Sequence, residues 1–291
     1  MVEEIRDHYL DEFAKFLVKK WQVSFDHSFQ ITKSSFWKAW PEPSWYCNSL
    51  EQANANYCWG GKDQDDKAAS YKRDLVNQLD QKDDISVADT CIKIFKWGGV
   101  SRKNGDKSRV WVEDNKASKS LCRKIILAIK LLQPHSHEEL ADFNPNELLM
   151  NSSMTKVYAF GDKSENIAMY DGRVGAALGL LVRDYLTEIN EKTIPVSLSF
   201  RWGDPSTENA KKEKTRDPSN EIYNFEKLPN ESSNKASNLI RAKLSRNTNT
   251  LINKVLFLLQ ASGDQKASAL DIERALFMIG YDVRRRQSYF T

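Results

Sequence analysis

One acid stands out as a group that could do chemistry. In Met169-Tyr170-Asp171-Gly172-Arg173-Val174-Gly175-Ala176-Ala177-Leu178-Gly179, Asp171 falls at the first turn of what reads as a buried helix. A carboxylate there has two physical uses. It can cap the free backbone N–H groups of the first turn. Fixed by that cap, it can also stand at the mouth of a cleft and present its charge to a reacting atom. Metal chemistry has no comparable foothold. Cys47, Cys58, Cys91 and Cys122 form no CxxC pair and no Cys/His run with zinc or iron–sulfur spacing. His135 and His137 read as polar loop residues after Pro134. No metal and no cofactor is expected, and the cysteines read as reduced, partly buried thiols of a cytoplasmic protein.

The elements that must hold Asp171 are mostly helices. Residues 1–21 carry Ile5, Tyr9, Phe13, Phe16 and Leu17 at helical spacing. Residues 23–62 crowd Trp37, Trp40, Trp45 and Trp59 around Pro41 and Pro43 and read as short, irregular structure. Two helices are expected over 63–97, the second stopped by Gly98-Gly99. A polar loop, Arg102 to Arg109, follows. A helix is expected from Ser118 to Leu132, ended by Pro134, and another helix or helix pair over 145–160, closed by Gly161-Asp162. The helix from Asp171 runs to about Tyr185, and its Gly and Ala residues allow close packing. Val196 to Phe200 reads as one short strand or extended chain. Residues 203–236 read as a long polar loop, with a turn at Arg216-Asp217-Pro218-Ser219. Two helices close the chain, the last ending at Gly280. The expected class is mainly α, with two closely packed helical lobes and at most a few short strands.

Length and charge bound the partners. The 291 residues suffice for one large or two small domains with a real core. Lys+Arg 43 against Asp+Glu 40 leaves a net +3, which does not by itself announce nucleic acid. The distribution says more: an acidic N-terminal arm precedes basic clusters at Arg102-Lys103, Lys116 to Lys124, Lys211 to Arg216, Arg241 to Arg246 and Arg284 to Arg286. Each reads alone as a solvated face, whereas several on one face would suit a phosphate backbone. Nothing resembles a signal peptide, and no apolar run approaches the ~20 residues of a membrane span.

The pattern Tyr170-Asp171-x-x-Val174 resembles the catalytic turn of the helix-hairpin-helix DNA glycosylases, with Arg173 in place of the usual His. The likeness covers mainly Asn151 to Leu186. A narrower resemblance joins Ser152-x-x-x-Lys156-Val157-x-x-Phe160, then Tyr170-Asp171-x-Arg173-Val174, then Arg216-x-Pro218-Ser219. It is to bacterial proteins of an 8-oxoguanine-glycosylase-like fold, some of them in phage-defence loci. The resemblance implies one glycosylase-like unit over 1–291. An N-terminal helical and aromatic lobe (1–140) precedes a hairpin-like and catalytic helix region (141–202), the polar loop (203–236) and C-terminal helices (237–291). It implies a cytoplasmic bacterial DNA N-glycosylase that flips a modified base out of double-stranded DNA and leaves an abasic site. The expected target is hypermodified phage DNA, for example with glucosylated hydroxymethylcytosine.

Site residues follow from the same resemblance. Asp171 is the catalytic carboxylate. Lys156 is the one Lys of the preceding helix and is catalytic, a phosphate contact or solvent-facing. It lies closer to Asp171 than the family's lysine does, so a monofunctional enzyme is expected. The hairpin turn falls at Ser152-Ser153, without the family's Gly-x-Gly, and its hydroxyls would contact DNA. Arg173, Arg102, Arg109, Lys212 and Arg216 are further DNA contacts, and Tyr170, Trp97 and Trp202 are expected around the base. Two other classes stay open: a helical DNA-binding module in which Asp171 only caps, and a defence-complex interaction protein that keeps the fold without activity.

Overall fold

The helix-start signals are used as written. Ser49 accepts the Gln52 N–H, Asp83 accepts those of Ile85 and Ser86, and Ser268 with Asp271 forms a reciprocal capping box. The computed structural model describes residues 8–23, 25–31, 40, 42–59, 62–101, 103, 105–205, 208–229, 234–264 and 266–284. Among them the chain is mainly α. In order it forms α1 (His8–Gln22), β1 (His27–Gln30), β2 (Ser44–Cys47), α2 (Leu50–Ala55), α3 (Lys62–Asp80), α4 (Asp84–Trp97) and α5 (Lys107–Ala117). Then come α6 (Leu121–Leu132), α7 (Met154–Gly161), α8 (Gly172–Glu188), α9 (Glu208–Lys212), α10 (Lys235–Ala261) and α11 (Ala269–Ile279). No helix among the described residues is long and apolar enough to cross a membrane.

The chain divides into two units. The first comprises Met1–Cys58, Tyr170–Leu228 and Leu251–Thr291. In it α11 packs on α2 and α8, and α1 packs on α2 and α8. Phe13 and Phe16 of α1 each meet the Tyr185 ring of α8 with centroids 5.5 Å apart. The second unit comprises Trp59–Met169 and Pro229–Thr250, so the unit boundary falls inside the continuous helix α10. Here α4 packs on α3, α5, α6 and α7, and one apolar cluster runs from Leu75 through Phe95, Ile125 and Phe143 to Tyr158. Asn238 and Asn249 of α10 complete it. Asn238 accepts the Met150 N–H at 2.7 Å, and Asn249 bridges the Ala168 N–H and the Leu132 carbonyl at 3.0 and 2.9 Å. Buried backbone groups outside the helices thus find side-chain partners.

Several local expectations change. The segment read as irregular holds an antiparallel pair, β1 with β2, registering Phe29 against Trp45. Both rings are buried and stacked at 4.9 Å, a pairing that Pro41 and Pro43 disguised. Helix α5 replaces part of the supposed polar loop, so Arg109 is helical. Its buried face includes Ser108 and Asn115, and this blurred the apolar period. The next helix starts at Leu121 rather than Ser118, because Lys119 turns left-handed (φ 54°) between α5 and α6. Residues 145–153 are not helical, and α7 begins only at Met154. Val196–Leu198 is a 3₁₀ turn instead of a strand, and the polar stretch after 203 contains the short α9. Ile5, Trp37, Arg102, Arg285 and Arg286 lie outside the described residues.

Candidate active site

Asp171 is the N-cap of α8. Its backbone is extended (φ −122°, ψ −177°), and its Oδ1 accepts the N–H groups of Arg173 at 2.8 Å and Val174 at 3.2 Å. A half-buried carboxylate is therefore fixed at the positive end of a 17-residue helix dipole. The chain on either side is anchored. The buried Tyr170 donates its hydroxyl to the Arg201 carbonyl at 2.7 Å and accepts the Arg201 N–H at 3.0 Å. Gly172 accepts the Gly203 N–H at 3.2 Å. The approach is close enough that a Cβ on Gly172 would lie 2.7 Å from the Gly203 Cα, and one on Gly175 would collide with the Arg201 carbonyl. Small residues at the start of α8 let the 201–204 strap lie directly on it.

Two arginines feel the charge of this carboxylate. The Arg173 guanidinium lies over the Phe277 ring at 4.4 Å and the Tyr281 ring at 5.3 Å. Burial lowers its pKa, opposed by the charge of Asp171. Arg216 is held lower than usual by burial and then by the charge of Arg173, with Asp171, Tyr281 and Asp204 pulling the other way. The 216–219 turn is seated on α8: Arg183 donates to the Pro218 carbonyl at 2.9 Å, and Pro218 fills the space a side chain at Gly179 would need. Motifs far apart in sequence, Tyr-Asp-x-Arg-Val and Arg-x-Pro-Ser, thus meet on one helix.

The aromatic candidates of this unit support the site from within. Trp202 is only 4% exposed and donates its indole N–H to the Phe225 carbonyl at 2.9 Å, with Lys227 over its ring at 4.8 Å. Tyr170 is spent on Arg201. Lys212 ends α9 and is exposed.

The candidates in the second unit gather at the start of α7. Lys156 is buried and donates from Nζ to the Ser152 carbonyl at 3.0 Å. Its stem passes over Gly98, where a Cβ would come within 2.6 Å of the Lys156 Cδ. The buried Ser153 shares a hydrogen bond with the Ser101 hydroxyl at 2.7 Å, and Arg109 Nε donates to the Ser101 carbonyl at 2.6 Å. Ser152 is half-buried. Asn151 does the capping: its Oδ1 accepts the N–H groups of Ser153 and Met154 at 2.9 and 3.0 Å, and its amide bonds Ser108 at 2.9 Å. Trp97 is half-buried, donates to the Gln64 carbonyl at 3.0 Å, and meets the Phe160 ring of α7 at 5.1 Å.

Lys156, Ser152, Ser153, Arg109 and Trp97 therefore belong to one cluster, and Tyr170, Asp171, Arg173, Trp202 and Arg216 to another, in different units. Asp204, Phe277 and Tyr281 were missed by sequence reasoning. The i, i+4 spacing of Phe277 and Tyr281 across the end of α11 was the available signal, but it points to core as readily as to a cation platform. Among the described residues no group of three or more His, Cys, Asp or Glu side chains could hold a metal ion. Burial pushes the Cys47 thiol up to about 12 and that of Cys58 to about 11, which leaves both protonated and poorly nucleophilic near neutral pH. No family model, curated protein or solved structure matches the chain.

Proposed function

We propose that the protein is a DNA N-glycosylase that flips a modified base from double-stranded DNA and excises it to leave an abasic site. The observation that supports this best is the Asp171 carboxylate, oriented by two backbone amides at the start of α8, with its charge acting on Arg173 and Arg216. Breaking the bond between sugar and base builds positive charge on the sugar. A preorganised carboxylate stabilises that charge and orients the attacking water, while neighbouring cations attract the phosphate backbone. Flipping costs a few kcal/mol in unstacking and unpairing, so the duplex must be held while it happens.

One carboxylate and one water suffice, so no cofactor is invoked. The reaction is monofunctional in this reading, because the Lys156 ammonium is buried and donates to the Ser152 carbonyl. Borohydride is accordingly expected to trap little covalent adduct. Hypermodified phage DNA as the substrate, and defence in a bacterial cytoplasm as the role, rest on the resemblance alone.

The cap itself favours a second reading, a non-catalytic DNA-binding or interaction protein, since a purely structural Asp would make the same two bonds. One experiment separates the two. Modified phage DNA and unmodified DNA are incubated with wild type and Asp171→Asn, and released bases are read by mass spectrometry. Asn caps about as well as Asp, so folding is expected to survive. Base release should fall by about 100-fold or more while DNA affinity stays within a few-fold. Activity near wild type in Asp171→Asn would remove the catalytic assignment.

A further inference from the structure

Arg216 has one nitrogen of its guanidinium committed and another left without an acceptor among the described residues. Its Nη1 donates to the Asp204 carbonyl at 3.3 Å. Its Nε is shielded from solvent and meets no acceptor among the described residues. A shielded donor without an acceptor is costly, and the Nε/Nη2 edge of a guanidinium matches two oxygens of an oxyanion.

Backbone links place the Arg216 segment. Thr215, next to Arg216, accepts the Val283 N–H at 2.7 Å. Asp204 follows Gly203, which is bonded to Gly172 in the first turn of α8. Tyr281, two residues before Val283, lies under Arg173. Arg216 is thus bracketed by the start of α8 and the chain leaving α11, where Arg173 is held on its two rings. Asp204 is paired with Lys227 at 2.9 Å, and the Asp171 Oδ1 accepts two backbone amides beside Arg173.

We propose that Arg216 and Arg173 form a phosphate-binding site beside Asp171, the phosphate oxygens taken by the Nε/Nη2 edge of Arg216 while Arg173 supplies the second charge. Arg rather than Lys suits this role because its planar fork binds two oxygens at once. The phosphate could belong to a nucleic-acid strand or to a free phosphate. Its assignment to the strand carrying the flipped nucleotide rests on the glycosylase reading.

Calorimetry on the full chain at constant ionic strength tests this with two probes, inorganic phosphate and the dinucleotide thymidylyl-thymidine, with thymidine as the phosphate-free control. Saturable uptake of a phosphate probe but not of thymidine is expected. Tighter binding of the dinucleotide identifies a strand phosphodiester, and tighter binding of inorganic phosphate a free one. Arg216→Gln should weaken uptake about tenfold or more, and Arg216→Lys by less. Asp171→Asn should strengthen it a few-fold, by removing a neighbouring negative charge. Should Arg216→Gln fail to fold, Arg216→Lys and the Asp171→Asn gain still decide. The site is overturned if no phosphate probe binds saturably, or if the folded Arg216 variants bind like wild type. Phosphate binding without base release by wild type would instead sink the glycosylase reading and leave the site standing.

Discussion

The starts of α7 and α8 use the same local device to different ends. Each has a side-chain oxygen that accepts two backbone N–H groups: Asn151 before α7 and Asp171 before α8. Around α7 the polar groups close on one another. Ser101 pairs with Ser153, Asn151 with Ser108, Arg109 with the Ser101 carbonyl and Lys156 with that of Ser152. Around α8 the cap is an acid, the charges of two guanidiniums reach it, and Arg216 keeps a donor without an acceptor among the described residues. A satisfied network rigidifies a core, whereas a shielded donor left without an acceptor leaves something for a ligand to complete. The difference teaches that a helix cap becomes a candidate for chemistry through what surrounds it.

The contrast can be broken first at one tryptophan of each unit, Trp202 and Trp97. Trp202 is fully inside the first unit, so Trp202→Ala should cost roughly 3–5 kcal/mol of stability. Trp97 is half-buried, so Trp97→Ala should cost less and impair base release more than plain duplex binding. Chemical denaturation of both variants measures the difference. Equal losses would mean that the two rings do the same work.

A sharper test exchanges the caps. Asp171→Asn is expected to lower base release by about 100- to 1,000-fold, the range for one preorganised electrostatic group, with little change in melting temperature. Asn151→Ala should do the reverse, lowering stability by about 0.5–2 kcal/mol and sparing the chemical step. If Asn151→Ala abolishes base release in a folded protein, the closed network at α7 is part of the catalytic apparatus after all.

Lys156→Met keeps the buried stem and removes the ammonium. Base release should persist, and the weak borohydride trapping should not change. A strong adduct in wild type that disappears in this variant would make Lys156 a nucleophile and the enzyme bifunctional.

The smallest expected effect concerns Lys212, at the exposed end of α9. If it contacts phosphate, Lys212→Gln should reduce the slope of log K against log salt by about one unit, equally on modified and unmodified duplexes. An unchanged slope would take Lys212 out of the DNA-facing surface.

Much of the fold was legible because helices announce themselves locally. The apolar stripes of α1, α4, α6 and α11, the Gly98 stop after α4 and the Asp171 start of α8 depend on neighbours within a turn or two. Helix α5 escaped notice because Ser108 and Asn115 share its buried face with Trp111 and Val112, so hydrophobicity loses its period there. The β1–β2 pair escaped because a four-residue strand is recognisable only once its partner is in register.

For the candidate site the division is sharper. Asp171 as a cap, with Tyr170 before it and Arg173 after it, could be read from eleven consecutive residues. That Arg216 stands beside Arg173, that Phe277 and Tyr281 carry the guanidinium, and that Lys156 turns back onto its own helix start were decided in three dimensions. A cap is a contact across two or three residues, and the chain's local geometry makes it. A cluster of like charges assembles only where backbones can touch, and Gly172 against Gly203 and Gly175 against Arg201 are contacts between segments that no local pattern brings together.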